Sequence, residues 1–161
     1  MAAVAIGVDV GGTKLAAGVV DVSRGQVLER AERPTRAERG GAAVLADCVA
    51  LAAELDPALP VGIGLCELVD LAGRPASGDT IDWRQLDVDG AFGPREVTLE
   101  SDVRAAALAE ARFGAGVDRS PFVFAIVGTG VSACLVIDGR PYAGAHGEAL
   151  VLGAPPVERV A

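Results

Sequence analysis

Aromatic residues are scarce in this chain of 161 residues: Phe, Tyr and Trp together make up 4% of it. Because 51% of the residues are apolar, a core is available, but one of Ala, Val and Leu packed closely rather than of large rings. Histidine occurs once and cysteine three times, at Cys48, Cys66 and Cys134, with no CxxC pair. That spacing argues against a zinc cage or a disulfide framework and reads as small buried thiols in a reducing cytoplasm. Positive charge is also in deficit, with 14 basic against 22 acidic residues and a net charge of −8. A surface of that sign repels phosphate backbones and anionic lipids, so neither nucleic acid nor membrane is expected as a partner. No apolar run is long enough to cross a bilayer, and Met1–Val10 lacks the basic start of a signal peptide.

What is present is a regular alternation of strands and helices. Val4–Val10 is an apolar, β-branched run ending at Gly11-Gly12, as a buried strand entering a tight turn would. Leu15–Val22 is a second such run, and 26–33 alternates apolar with polar residues, completing a β-meander. Over 38–55 the period changes: Val44, Cys48, Leu51 and Leu55 fall at helical spacing, and Pro57 and Pro60 close the segment. A strand follows over 61–69, then a polar loop rich in Gly, Pro and Asp over 72–95, then a short strand at 97–100. A helix is predicted over 102–113, with Ser101 as its N-cap and Gly114 ending it. After a linker at 114–120 come strands at 122–127 and 131–137, and a third near 140–145. This second meander echoes the first, with Gly128-Thr129-Gly130 standing where Gly11-Gly12-Thr13 stood.

The string Asp9-Val10-Gly11-Gly12-Thr13-Lys14 carries the clearest chemistry. A turn of two glycines bares backbone N–H groups to an anion, Thr13 adds a hydroxyl and Lys14 a charge. Asp9, at a strand end, is placed to hold Mg²⁺ through water. A bare Gly-Gly would be an ordinary hairpin, and the pattern is not that of a P-loop, which needs GKS or GKT opening a helix. Asp102 lies where strand gives way to helix, so the helix N-terminus favours its ionised form. Such a carboxylate suits phosphoryl transfer, which asks for positioning more than for a strong base. From the segment alone, a capping role for Ser101 or Asp102 is the simpler reading. His146 stands in a Gly-rich loop beside Glu148, where a loop role is the commoner one. Trp83 either stacks on a sugar face or anchors its loop.

Together these segments resemble the ROK family of sugar kinases, within the actin-like ATPase superfamily, from about Ala5 to Glu148. The resemblance rests on AIGVDVGGTKLAAGVVD (Ala5–Asp21), ESDVRAAALAEARFGAG (Glu100–Gly116) and GTGVSACLVIDGRPYAGAHG (Gly128–Gly147). It implies an α/β chain of the ribonuclease H-like, actin-like ATPase fold: a mixed sheet with a β-meander and flanking helices over 1–114, and an incomplete second domain over 115–161. It further implies ATP with Mg²⁺ as cofactor and a sugar or phosphorylated metabolite as ligand. Asp9, Gly11, Gly12, Thr13 and Lys14 match the first phosphate motif, and Gly128, Thr129 and Gly130 the second. Asp102 matches the base that takes the proton from the sugar hydroxyl.

Within the motifs that carry the resemblance, the departures from the family pattern fall on the sugar side. The usual ENDxNAAA string reads Glu100-Ser101-Asp102-Val103-Arg104-Ala105, so Ser101 replaces a sugar-contacting Asn. The usual GxPGxVD string reads Gly64-Leu65-Cys66-Glu67-Leu68-Val69-Asp70, with Cys66-Glu67 in place of Pro-Gly. Leu150–Ala154 aligns with a GExGH string whose Glu and His it lacks, and the family's Cys-rich loop is missing, so no metal site and no zinc are expected. The leading expectation is a degenerate, non-kinase descendant that binds a phosphate or small metabolite. A repurposed enzyme using Cys66, Glu67, His146 and Glu148 is its variant, with Glu67 either an acid or base of raised pKa or merely exposed. The alternative is an active minimal hexose kinase with Asp102 as base. Three strands over 122–145 are too few to bury a core alone, so a homodimer through the C-terminal part is expected.

Overall fold

The structure, a computed structural model, describes residues 4–127 and 131–148. Its chain divides into two compact units, Met1–Asp102 and Val103–Ala161. The division falls earlier than the position near 114 read from the sequence.

The first unit is built on a five-stranded mixed sheet. Strands β1 (Val4–Val10), β2 (Lys14–Asp21) and β3 (Gln26–Pro34) form the antiparallel meander. A single 3-10 turn (Ala37–Arg39) leads into helix α1 (Gly41–Leu55), which crosses over to β4 (Val61–Leu65). Then come a four-residue helix α2 (Val88–Ala91) and strand β5 (Val97–Ser101). The sheet order is β3-β2-β1-β4-β5, with β1, β4 and β5 mutually parallel. The expected α/β class, mixed sheet and β-meander are therefore present.

Alternation along the strands explains the core. Ile6, Val8 and Val10 of β1 and Val61, Ile63 and Leu65 of β4 are buried at every second position. They pack with Val44, Cys48, Leu51 and Ala52, which α1 presents at helical spacing. Each such side chain contributes on the order of 1.5–3 kcal/mol by leaving water.

Two segments differ from the sequence reading. Strand β4 stops at Leu65 rather than at Val69, because Cys66 and Glu67 turn away into the following loop. That loop is polar in composition, yet Val69, Ile81, Trp83, Val88 and Phe92 all dip into the core. Trp83 is fully buried, the anchoring one of its two expected roles, and its indole Nε1 has no hydrogen-bond partner among the described residues.

In the second unit, helix α3 (Asp102–Phe113) follows β5 without a break. Its Val103 and Ala107 pack with Cys134 and Val136 of β7 (Val131–Ile137). β7 is the centre of a three-stranded sheet with β6 (Phe122–Val127) and β8 (Arg140–Pro141), the last far shorter than the expected strand over 140–145.

The first turn of α1 lies against the segment carrying Trp83. A Cβ on Gly41 would stand 2.1 Å from the Asp82 carbonyl oxygen and 2.8 Å from Trp83 Cδ1. Backbone has no rotamer with which to retreat, so Gly41→Ala is expected to destabilise the chain by about 1–3 kcal/mol. A lower denaturation midpoint together with red-shifted Trp83 emission is the expected result; an unchanged midpoint would show that the contact is loose.

Candidate functional site

The site grows out of the parallel ladder. Val10 pairs with Leu65, and Leu65 with Ser101, so three strands end level with one another. The next residue in each case is Gly11, Cys66 or Asp102 (the chain's three departures from the sheet at that edge). Open α/β sheets bind ligands outside the carboxyl ends of such strands. One register step inside the edge, Asp9 pairs with Gly64 and Gly64 with Glu100. The sequence-derived candidates Asp9, Gly11, Glu67, Ser101 and Asp102 thus come from the ends of three adjacent strands.

The turn after β1 is held from both sides. Gly11 N–H donates to the Lys14 carbonyl at 3.0 Å, closing the hairpin. Thr35, fully buried and unremarked in the sequence, donates its hydroxyl to the Gly11 carbonyl at 2.6 Å and its N–H to the Thr13 carbonyl at 3.0 Å. Its only sequence signal is its place just after Pro34, the residue paired with Lys14. The N–H groups of Gly12 and Thr13 have no protein partner among the described residues, and both residues are exposed. Gly12 avoids a side chain for reasons of space: a Cβ there would meet Thr80 Cγ2 at 2.9 Å.

The basic side chains around the turn have partners within the sheet. Lys14, the chain's single lysine, is paired with Glu32 of β3 at 3.3 Å, and Arg30 shares that carboxylate. Asp9 is an exposed residue whose carboxyl is still partly desolvated. That partial burial raises its pKa, and the charges of Lys14 and Arg30 pull it partway back. Cys66 is half-buried, and its thiol is pushed up to about 12, first by burial and then by the negative fields of Glu67, Asp102 and Asp9. At neutral pH it is a thiol, not a thiolate nucleophile.

Glu67 is not exposed: its relative exposure is 4%, and its carboxylate accepts from Ser77 Oγ and from three consecutive backbone N–H groups, those of Asp79, Thr80 and Ile81. Ser101 is 2% exposed at the end of β5, and Asp102 opens α3 as a half-buried residue. His146 and Glu148 lie in the second unit and are exposed; Gly147 between them accepts from the buried Arg104 guanidinium. Gly128, Thr129 and Gly130 lie outside the described residues. No group of three or more His, Cys, Asp or Glu suited to a metal ion occurs among the described residues, and no helix among them is long and apolar enough to cross a membrane.

Asp9 yields a prediction with a definite sign. Its folded-state pKa is raised above the ordinary 3.8, so the folded chain binds that proton more tightly than the unfolded one. The stability linked to it is present at low pH and is lost as pH rises through the folded value. Asp9→Asn is therefore expected to raise the melting temperature slightly at pH 7, with the gain shrinking as pH falls towards 4. The exposure of Asp9 keeps the effect small. Thermal melts of both proteins at the two pH values check it; a loss of stability at pH 7 would contradict it.

Comparison with known proteins agrees with this geometry. The ROK family model matches residues 5–160. A glucokinase of Streptomyces coelicolor is 33% identical over 156 residues, covering 92% of this chain and 48% of that protein. The crystal structure of a ROK family glucokinase from Streptomyces griseus, in complex with glucose and AMPPNP, superposes with a TM-score of 0.77 at 32% identity, covering 93% of this chain and 48% of that one. An inorganic polyphosphate/ATP-glucomannokinase from Arthrobacter sp. strain KM gives a TM-score of 0.74 at 34% identity, over 86% of this chain and 60% of that one. The chain spans about half the length of the curated glucokinases it matches. In its sheet order, its DxGGTK turn and its match over nearly its whole length, the chain belongs to the ROK family.

Proposed function

We propose that this chain is a binding unit derived from an ATP-dependent sugar kinase, one that receives a phosphate-bearing ligand at the Gly11–Lys14 turn and does not by itself phosphorylate a sugar. The observation that carries the reading is an imbalance at the strand ends. The phosphate-side residues Asp9, Gly12 and Thr13 are present at the β1 end and its turn, whereas Glu67, at the family's Pro-Gly position, is buried and engaged with its own loop. The turn fits such a ligand: two N–H groups without a protein partner stand near a carboxylate. Asp9 would hold Mg²⁺ through water, and the ion would neutralise phosphate charge there. Similar glucokinases bind glucose and an ATP analogue, which supports ATP as the ligand class.

A second reading is favoured by Asp102, which opens α3 beside this edge and matches the family's base. On that reading the chain is a hexose kinase, Asp102 accepting the proton of the attacking hydroxyl. The two readings part on one assay. With Mg²⁺ present, AMPPNP near 100 times its Kd is expected to raise the melting temperature by several degrees, since binding at that level adds about 2.7 kcal/mol. Glucose-dependent ADP release is expected to be absent. Turnover that disappears in Asp102→Ala would establish the kinase instead, and neither shift nor turnover would remove both readings.

The assembly we propose is a cytoplasmic homodimer formed through the second unit. Strand β6 exposes Val123 and Val127, and β7 exposes Val131 and Ile137, which share one face of the sheet as an apolar surface of the kind that marks an interface. Light scattering at micromolar concentration is expected to return twice the chain mass; a monomer mass would refute the dimer.

A further inference from the structure

Glu67 does more than sit in a buried place. Its Oε1 accepts from Thr80 N–H at 2.6 Å and Ile81 N–H at 2.8 Å. Its Oε2 accepts from Asp79 N–H at 2.9 Å and from the Ser77 hydroxyl. The same hydroxyl receives Leu68 N–H at 2.9 Å, so the network closes on the backbone next to Glu67 itself. Three successive N–H groups converging on one point form the concavity with which backbone binds anions. Here the anion is covalently part of the chain. The loop so held carries Thr80, whose methyl stands against the Gly12 turn, and runs on into Ile81 and the buried Trp83.

We propose that Glu67 is a positioning residue: an internal anion that fixes the 77–81 loop and, through Thr80, walls one side of the phosphate-receiving turn. This rests on the reading of that turn given above. The physics separates the carboxylate from its isostere. A carboxylate accepts at both oxygens, whereas an amide accepts at one and donates at the other. In Glu67→Gln the Ser77 hydroxyl can rotate, but a backbone N–H cannot reverse. Whichever way the amide lies, Asp79 N–H, or both Thr80 and Ile81 N–H, faces another donor. The orientation that sacrifices fewer bonds puts the NH₂ towards Asp79.

The test uses the full chain, with amide exchange at 79–81, Trp83 emission and Mg·AMPPNP affinity as readouts. Glu67→Gln is expected to speed exchange at Asp79 by roughly ten- to a hundredfold while Thr80 and Ile81 stay protected. Glu67→Ala is expected to speed all three and to red-shift Trp83. It leaves a void matching acetate, since Ala retains Cβ and acetate supplies the missing methylene carbon and carboxylate. Acetate at about 0.1 M, against chloride at equal ionic strength, is expected to restore protection and emission in Glu67→Ala alone. Affinity for Mg·AMPPNP is expected to weaken roughly tenfold in Glu67→Ala and to recover with acetate, an effect that a generally loosened fold would not give. Unchanged exchange at 79–81 in either variant, or a response to acetate no greater than in the parent, overturns the proposal. Should Glu67→Ala fail to fold, the residue pattern in Glu67→Gln decides it. Should the parent chain not bind Mg·AMPPNP, the binding reading fails while exchange and acetate still decide whether Glu67 holds the loop.

Discussion

The level ending of β1, β4 and β5 is the constraint on which the rest of this molecule depends. Side chains on a strand alternate between faces, so a slip of one residue would carry Ile6, Val8 and Val10 out of the core and Asp9 into it. The same holds for Val61, Ile63 and Leu65 on β4. Apolar burial therefore fixes the register of this ladder, and the register then brings Gly11, Cys66 and Asp102 to one edge. The apolar core fixes that register from below.

Cys66 and Glu67 follow β4 at this edge, in place of the family's Pro-Gly. Burying a carboxylate is unfavourable unless hydrogen bonds replace its water, and the donors that replace it here all come from one short segment ten to fourteen residues on. The segment is polar and glycine-containing, with little to order it by itself. Two forces act on it in series: the carboxylate gathers its N–H groups at 79–81, and Ile81 and Trp83 then enter the core. Neither alone suffices. Without the apolar anchors the N–H groups would be solvated in the open, and without the acceptor the buried Ile81 N–H would lose its partner.

This division of labour decides what could be read in advance. The meander, α1, the strands β4 and β5 and the placement of Asp102 follow from local periodicity, which the chain carries plainly. The turn at Gly11-Gly12 was legible because its residue types have a mechanism. The loop was not, since bonds between Glu67 and residues 77–81 have no periodic signature, and a Glu among apolar neighbours reads equally as exposed or as active. The pairing of Lys14 with Glu32 depends on the β2–β3 register, which the local sequence does not give. The boundary near 114 followed composition. The clustering of Val103 and Ala107 of α3 with Cys134 and Val136 depends instead on which strand meets the apolar stripe of α3, and a stripe does not name its partner.

Electrostatics then limits how a phosphate could be received at this edge. The chain carries a net charge of −8. Close to the turn, burial first and then the negative charges of Glu67, Asp102 and Asp9 push the thiol of Cys66 up to about 12. The one lysine is already shared with Glu32, and Arg30 with it. Two backbone N–H dipoles do not offset several formal negative charges at short range, since a dipole's field falls off faster than a charge's. A polyphosphate would therefore bring its own cation with it, and such a neighbour would favour the ionised form of Asp9, which partial burial disfavours. On the reading proposed above, Mg²⁺ is not an accessory to phosphate binding at this turn; it makes the acidic edge compatible with a phosphate at all.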